Sequence, residues 1–275
     1  MRGNRQVVDP EPTWGSPGLT RAPYHFERRA RIKPCRLPPM KTPTITKTAN
    51  QLLSALKPAD FSQVAKKLTR VKLRPKQVVY KPNAPLDYIY FPENTVLCLM
   101  TLMSNGDCIE AATVGREGAS WISASVGARS MPCETLAVHE GTALKLAVDD
   151  LDRELKENRP FRDVLTEYSH ALLIASMRTS ACNGLHRLQE RCARWMMTTL
   201  DRVDADEFFV TKEFLAQLLG TSRPMVSVTV AVFEKAGILN VDGRRVTVAD
   251  RRRLKEASCE CYDVIRRHYL KVGRQ

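Results

Sequence analysis

Residues 210–229 read VTKEFLAQLLGTSRPMVSVT, and residues 233–239 read FEKAGIL. Thr211 is of a residue type preferred at a helix N-cap, because its hydroxyl can accept a backbone hydrogen bond. Gly220 is expected to end this first helix, since glycine readily adopts the left-handed conformation of a helix C-terminus. The apolar face of the helix would consist of Phe214, Leu215, Leu218 and Leu219.

A second helix is predicted from Ser222 to about Ala236. Ser222 suits its N-cap, and Pro224 falls in the first turn, where a missing N–H loses no intrahelical bond. Gly237 closes the helix, and its inward side chains are Val226, Val230 and Phe233. Two short helices joined by a tight turn predict a helix-turn-helix, whose second helix can enter the major groove of DNA.

A β-hairpin is predicted directly after the second helix. The segments Ile238–Val241 and Arg244–Val248 flank Asp242-Gly243, a dipeptide typical of two-residue hairpin turns. This hairpin would be the wing of a winged helix-turn-helix. Arg244 and Arg245 at its tip suit contact with phosphates, which supplies affinity rather than choice of sequence.

Residues 210–229 and 233–239 resemble the winged helix of the Crp/Fnr regulators, and the Gly-Thr-Ser-Arg turn is the most specific part of the resemblance. The upstream order is also similar: a β-rich region, a long helix, and a helix that contains Arg191-Cys-Ala-Arg-Trp. The resemblance extends over about residues 50–250. It implies a bacterial transcription regulator that binds duplex DNA under the control of an N-terminal sensor domain.

The resemblance also implies roles for residues of the helix-turn-helix. Lys212 and Ser222 are expected to contact phosphate, and Arg223 to read a base, for which guanine O6 and N7 are suitable acceptors. The cyclic-AMP receptor branch of the family carries a Glu where this chain has Pro224, and a second Arg where it has Val228. The operator should therefore differ from the operator of that branch.

Two further residues of the second helix are expected to face the groove. Met225 could make an apolar contact with a thymine methyl group, and Ser227 could make a hydrogen bond. With these, the expected DNA-binding set is Lys212, Ser222, Arg223, Met225, Ser227, Arg244 and Arg245.

The charge of the chain agrees with a polyanionic partner. Its 43 Lys and Arg residues against 30 Asp and Glu residues give a formal net charge of +13, which favours nucleic acid or an anionic membrane. The sequence has no apolar run of the roughly 18 residues that a membrane span needs, and no apolar signal-peptide core. We therefore expect a cytoplasmic protein with reduced cysteines and no membrane partner.

Residues 1–43 are expected to be a disordered basic tail. Their high proline content disfavours both helix and sheet, and they carry too little apolar surface to fold. A natural translation start at Met40 is a hypothesis, and the intact mass of the natively expressed protein would test it.

The segment after the tail predicts two short helices and then a β-rich domain. Leu52 to Leu68 shows helical spacing with a break at Pro58. Turn residues then separate short strands at roughly ten-residue spacing, which favours a sandwich or a jelly-roll barrel. The expected strands are Lys76–Tyr80, Tyr88–Phe91, Val96–Met103, Cys108–Val114, Thr135–His139 and Ala143–Val148.

A long helix is expected between the β-rich domain and the helix-turn-helix. Apolar and small residues recur in it at steps of four and three, which is typical of a coiled-coil seam and predicts a homodimer. The alternative is that this face packs on its own domain. The region around Asn183-Gly184 is expected to act as a hinge that transmits a signal. The seam residues are Phe161, Leu165, Tyr168, Leu172, Ala175, Thr179, Cys182 and His186.

The resemblance also indicates where a ligand pocket of the β-rich domain would lie. Members of the family that bind cyclic nucleotides hold the ribose with a Gly-Glu pair and the phosphate with an Arg-Ser pair. The corresponding residues here are Glu117, within Gly115-Arg116-Glu117-Gly118, and Arg129-Ser130. Because Arg116 interrupts the Gly-Glu pair and Met131-Pro132 follows the Arg-Ser pair, a degenerate pocket or another ligand is favoured over a cyclic nucleotide.

No cofactor and no metal are expected. An iron–sulfur cluster of the kind found in another branch of the family needs clustered N-terminal cysteines, and only Cys35 lies there. Haem binding through His139 or His170 has no further support. Cys259 and Cys261 are two residues apart on an expected C-terminal helix, so that they would point to different faces and make a poor metal site.

These observations predict an α+β protein with an antiparallel β-roll or jelly-roll sensor, a long dimerisation helix and a C-terminal winged helix-turn-helix. The expected boundaries are 1–43 for the tail, 44–150 for the sensor, 151–184 for the dimerisation helix and 185–275 for the DNA-binding domain. No catalytic motif is found, so an enzyme is not expected. The implied partners are double-stranded DNA, a second copy of the chain and RNA polymerase. The alternative is a protein-interaction module with a ligand-free sensor and a winged helix that is not used for DNA.

Overall fold

A computed structural model describes residues 45–120, 122–203 and 205–274. The expected disordered tail, the proposed start at Met40 and the argument from Cys35 all lie outside the described residues. Within the described part of the chain, no helix is long and apolar enough to cross a membrane. The described residues lie in one compact unit.

Two short helices precede the β-rich domain, as the periodicity predicts: α1 (Gln51–Ser54) and α2 (Pro58–Ala65). Asn50 caps α1 by accepting a hydrogen bond from the Leu53 N–H, and its amide donates to the backbone carbonyls of Pro92 and Gly118. This buried side chain therefore ties the helical segment to the β-roll.

The β-roll contains seven strands in two antiparallel sheets. One sheet has the order β1-β7-β3 and the other has the order β2-β6-β4-β5. A short 3₁₀ helix at Ile122–Val126 follows the fifth strand. The strands are β1 (Thr69–Leu73), β2 (Val78–Tyr80), β3 (Tyr88–Pro92), β4 (Leu97–Leu102), β5 (Cys108–Val114), β6 (Glu134–Ala137) and β7 (Gly141–Ala147).

Strand β4 is buried on both of its faces, and this connects the two cores of the molecule. Leu97 and Leu99 pack in the core of the roll together with residues of β3 and β7. Cys98 and Met100 point to the other side, into a second core that also contains Trp195 and residues of the helix-turn-helix. Side chains alternate across a strand, so β4 can contribute to both cores.

Two helices follow the roll: α3 (Val148–Glu157) and α4 (Arg159–Leu185). The predicted coiled-coil face of α4 is buried within the same chain, so its assignment as the dimer seam is wrong. Phe161, Leu165 and Tyr168 belong to the core of the roll, and Cys182 is fully buried beside Cys259. Spacing at four and three residues identifies an apolar stripe but not the surface that covers it.

The C-terminal part begins with α5 (Leu188–Val203), which lies in the second core through Trp195 and Met196. It continues through β8 (Glu207–Phe209), α6 (Lys212–Leu219), α7 (Arg223–Lys235), β9 (Leu239–Asp242), β10 (Arg245–Val248), α8 (Arg251–Glu256) and α9 (Cys261–Tyr269).

The last helix, α9, folds back onto α4. The rings of Tyr168 and Tyr269 stack with their centroids 6.0 Å apart, and the Gly273 N–H donates to the Glu167 carboxylate at 2.8 Å. An α+β architecture with an antiparallel β-roll, a long helix and a C-terminal helix-turn-helix is confirmed. The proposed domain boundaries stay predictions.

Candidate DNA-binding interface

The helix-turn-helix forms as its local sequence signals predict. The Thr211 hydroxyl accepts a hydrogen bond from the Phe214 N–H at 3.1 Å and so caps α6. Gly220 adopts φ +59° and ψ +50° at the end of α6, the left-handed region that favours glycine. Ser222 then occupies the N-cap position of α7 in an extended conformation.

Helix α7 presents one face to the core and the opposite face to solvent. Val226, Val230 and Phe233 are buried in the second core. The outward residues of the first turn are Arg223 and Met225, and Met225 is 53% exposed. Ser227 is half-buried, whereas Val228 is 62% exposed. The free face is therefore mainly apolar beyond its first turn and carries its charge at the N-terminal end.

Arg223 forms an ion pair on this exposed surface. Its Nε lies 2.5 Å from Oε1 of Glu213, and both side chains are more than half exposed. A hydrogen bond from its own backbone amide and the charge of Arg223 lower the pKa of Glu213. Exposed pairs of this kind are worth little in water, so Arg223 can exchange Glu213 for a base or a phosphate at small cost.

Lys212 and Ser222 lie at the N-terminal ends of α6 and α7, where backbone N–H groups and the helix dipole favour a phosphate. Lys212 is half-buried, and Ser222 is exposed. Within the described part of the chain, the Ser222 side chain makes no capping hydrogen bond. Its hydroxyl is therefore available to an incoming ligand.

The wing is a three-stranded sheet with the order β8-β10-β9. Because Asp242 pairs with Arg245, the two-residue turn consists of Gly243 and Arg244. The expected turn at Asp242-Gly243 is therefore wrong by one residue. Gly243 adopts φ +59° at the first turn position, where a type II′ turn places its glycine.

This shift gives the two wing arginines different surroundings. Arg244 is exposed at the tip, whereas Arg245 lies on strand β10. The guanidinium of Arg245 is 5.6 Å from the ring centroid of Phe209, and its Nε is 3.9 Å from Oε2 of Glu207. Arg244 is consequently the freer of the two for phosphate contact.

The three residues expected to bind a ligand in the sensor have different surroundings. Glu117 is buried, and its Oε1 lies 2.7 Å from the Arg202 guanidinium of α5 and accepts the Gly115 N–H at 3.0 Å. Arg129 is exposed and paired with Asp152. Ser130 is exposed and forms an isolated β-bridge with Pro85.

Packing explains the glycines on either side of Glu117. A Cβ added at Gly115 would lie 2.4 Å from Cγ of Arg202, and one added at Gly118 would lie 2.1 Å from the ring of Tyr168. The two glycines of the Gly-Arg-Glu-Gly segment therefore make room for large side chains of the same chain. Packing within the fold explains them without a bound ligand.

A second polar link between the roll and α5 could not be found from the sequence. The Trp195 Nε1–H donates to Glu110 at 2.8 Å, and both residues are buried. Burial raises the pKa of Glu110, although Arg194 and Trp195 oppose this effect. In the sequence, Glu110 is a charged residue at an inward position of the predicted strand Cys108–Val114. That position does not identify Trp195 as its partner.

Comparison with known proteins supports the resemblance. A family model described as a Crp-like helix-turn-helix domain matches residues 190–257. No curated protein matches the chain.

Among solved structures, a Crp/Fnr-family transcriptional regulator from Eubacterium rectale is 17% identical, with a TM-score of 0.55 over 75% of this chain and 97% of that one. A CRP-family transcriptional regulator from Thermus thermophilus is 17% identical, with a TM-score of 0.57 over 68% and 96%. The c-di-GMP responsive regulator CLP from Xanthomonas campestris is 12% identical, with a TM-score of 0.56 over 70% and 100%.

Proposed function

We propose that the chain is a transcription regulator of the Crp/Fnr type that reads duplex DNA through α7 as a homodimer. The observation that carries this proposal is the free face of α7, with Arg223 at its first turn inside a domain that matches the Crp-like model. A recognition helix reads base edges with the residues of its N-terminal part.

The charges around α7 support contact with DNA rather than with a protein. Lys212 and Ser222 lie at the N-terminal ends of α6 and α7, and Arg244 lies exposed at the tip of the wing, which suits phosphate contacts, while Arg223 would read a base edge. The exposed apolar residues Met225 and Val228 suit thymine methyl groups.

The homodimer is supported by a stripe on α4 that differs from the predicted seam. Exposed residues recur on its outer face at steps of four and three: Thr166, His170, Leu173, Met177, Ser180 and Gly184. Leu173 and Met177 at the centre of this stripe are 59% and 64% exposed. Large apolar side chains exposed one turn apart on a long helix suit a helix–helix contact.

Control by the sensor is supported by the polar links between the roll and α5. Arg202 pairs with Glu117, and Trp195 bonds to Glu110, so a change in the roll would act on α5 directly. At the proposed hinge, the Arg191 guanidinium lies 3.5 Å from Asn183 Oδ1 and donates to the Leu219 carbonyl at 2.9 Å. This arginine connects the end of α4 to the end of α6. Contact with RNA polymerase and a cytoplasmic location stay predictions from the sequence.

The salt dependence of binding tests the proposal. The affinity of the intact chain for a mixed duplex pool should be measured by fluorescence anisotropy over a range of salt concentrations. Each neutralised phosphate contributes about 0.9 to the slope of log affinity against log salt, so a dimer with several lysine and arginine contacts should show a steep slope. Lys212→Ala should reduce the slope by about 1 per site.

Arg267→Ala, an exposed arginine on α9, is the matched control because it removes the same charge outside the helix-turn-helix. Its slope should equal that of the wild-type protein. A wild-type slope near zero, or equal losses for Lys212→Ala and Arg267→Ala, would favour the protein-interaction alternative.

A further inference from the structure

The end of α4 meets the C-terminal segment in a cluster of three cysteines and one histidine. Cys182 and His186 are four residues apart at the end of α4, so they face the same side of the chain. Cys261 is the first residue of α9, whereas Cys259 lies in the loop before it. The expectation that Cys259 and Cys261 lie on one helix and point apart is therefore wrong, because the helix begins between them.

The four potential ligand atoms are close enough to share one ion. They all lie within 4.8 Å of one another. Sγ of Cys182 is 3.4 Å from Sγ of Cys259, and Sγ of Cys261 is 3.7 Å from Nδ1 of His186. Zinc–sulfur bonds of about 2.3 Å and zinc–nitrogen bonds of about 2.0 Å in a tetrahedron place ligand atoms about 3.5–3.8 Å apart. The four ligands of an iron–sulfur cluster bind at least two different iron atoms, so they cannot all lie as close together as these four atoms do.

The surroundings of His186 favour metal binding. Its Nδ1 faces the cysteines, while its Nε2 lies 3.2 Å from Oε2 of Glu260. A histidine that binds a metal through one nitrogen commonly donates its other N–H to a carboxylate, which fixes the ring and increases its basicity. Glu260 occupies this position, between Cys259 and Cys261 in the sequence.

The charge around the cluster also fits a bound ion. Three thiolates and a neutral imidazole around Zn²⁺ leave a net charge of −1. The buried Arg194 interacts electrostatically with Cys182, and among the described residues its Nε has no hydrogen-bond partner. The negative charge of the site would therefore stabilise this buried guanidinium, on which the Glu110 carboxylate also acts.

We propose that Cys182, His186, Cys259 and Cys261 bind a single Zn²⁺ ion in a tetrahedral site with three sulfur ligands and one nitrogen ligand. Protein ligands would occupy all four coordination positions of the ion, which is typical of a structural rather than a catalytic zinc site. Cys259 and Cys261 lie beyond residue 257, where the match to the Crp-like domain ends. The ion would fasten this C-terminal segment to the end of α4, directly beside Asn183-Gly184.

The metal content of the wild-type chain is the first test. The full chain, purified without a polyhistidine tag from zinc-supplemented cells, should contain one zinc per chain by inductively coupled plasma mass spectrometry. Replacement by Co²⁺ should give the intense visible ligand-field bands of a tetrahedral thiolate site. This measurement on the intact wild-type protein does not depend on whether any variant folds, and it does not require DNA binding.

Variants then assign the ligands. Cys182→Ser and Cys259→Ser should each abolish stoichiometric zinc, and His186→Cys should retain it because a thiolate replaces the imidazole. Cys133→Ser is the matched control, since this half-buried cysteine lies outside the cluster. Glu260→Gln should weaken the affinity for zinc by about 10- to 100-fold, the usual effect of losing a carboxylate partner of a ligating histidine.

Three results would overturn the proposal. The first is a wild-type chain with well under one zinc after purification under reducing conditions. The second is stoichiometric zinc that persists in Cys182→Ser or is lost equally in Cys133→Ser. The third is a mass spectrum in which the freshly isolated protein carries a Cys182–Cys259 disulfide in place of the metal.

Discussion

Two segments of this chain combine glycine with charged or polar residues that resemble ligand-binding residues of the family, and the two differ in burial. At the turn of the helix-turn-helix, Arg223 and Ser222 are exposed, and the ion pair of Arg223 with Glu213 can be exchanged. In the sensor, Glu117 is buried against Arg202, and its flanking glycines lie against large side chains. Residue type alone does not distinguish a ligand-binding residue from one that holds two parts of the fold together. Burial and a fixed partner within the chain distinguish the two cases.

The largest expected effect concerns the buried pair of the sensor. Arg202→Met should lower the free energy of unfolding by about 3–5 kcal/mol, because it leaves the Glu117 carboxylate buried without its partner. Urea denaturation followed by circular dichroism measures this change, and Arg244→Met is the exposed control. If Arg202→Met is as stable as the control, the pair is not a structural connection, and Glu117 would again be a candidate ligand residue.

A smaller loss of stability is expected from Gly118→Ala. The added Cβ would lie 2.1 Å from the ring of Tyr168, and overpacking of this kind costs about 1–3 kcal/mol. Gly184→Ala is the matched control, because no described atom lies within 4 Å of its added Cβ. Its stability should stay equal or rise by up to about 1 kcal/mol. If Gly184→Ala also left DNA affinity and signal response unchanged, the predicted hinge at this position would be wrong.

On the DNA-binding side, Arg223→Ala should weaken specific binding by about 1–3 kcal/mol and relax the preference at one base pair per half-site. Glu213→Gln should not weaken binding, because it removes the competing partner of Arg223. Affinity for variant operators, measured by anisotropy, checks both. A loss for Arg223→Ala that is equal for every operator would make this residue a phosphate contact only.

The wing provides a finer comparison between adjacent arginines. Arg244→Ala should weaken binding uniformly across sequences and reduce the salt slope by about 1 per site. Arg245→Ala should have a smaller effect, because Arg245 already lies over Phe209 and near Glu207. Anisotropy titrations at several salt concentrations separate the two. If Arg245→Ala weakened binding more than Arg244→Ala, the hairpin turn of the wing would have to change its conformation when it binds DNA.

The smallest expected effect is on the pH dependence of stability. Burial lowers the pKa of His139 below its usual value of 6.5. The unfolded chain therefore takes up a proton near this pH that the folded chain excludes, and stability is lost as the pH falls below about 6.5. His139→Gln should flatten the dependence of the urea midpoint on pH in this range. Parallel profiles for the two proteins would contradict a neutral buried histidine.

Local signals explain what could be predicted from the sequence. Thr211 caps α6 with its hydroxyl and Gly220 ends it in the left-handed conformation, while Ser222 occupies the N-cap position of α7 without a side-chain capping bond. The helix-turn-helix therefore has the predicted order and nearly the predicted bounds. The expected strand Cys108–Val114 also has the observed bounds. The sequence patterns do not predict strands β1 and β8. Strand β1 directly follows a helical pattern, and strand β8 has only three residues.

Features that depend on distant parts of the chain could not be predicted. The spacing along α4 predicts an apolar stripe, but only the fold shows that one stripe is buried in the same chain while another is exposed. Likewise, Cys182 and Cys259 are 77 positions apart, and no local pattern brings them together. The ion pair between Glu117 and Arg202 joins two segments whose packing only the folded chain determines.

Selection of bound duplexes from a random-sequence pool, performed with and without cyclic AMP, tests whether the exposed face of α7 reads duplex DNA and whether the Glu117 segment serves the fold rather than a cyclic nucleotide. We predict one enriched motif with two-fold symmetry and half-sites about one helical turn apart, identical under both conditions. A pool without enrichment at low salt would contradict DNA reading, and a motif that appears only with cyclic AMP would contradict the structural role of Glu117.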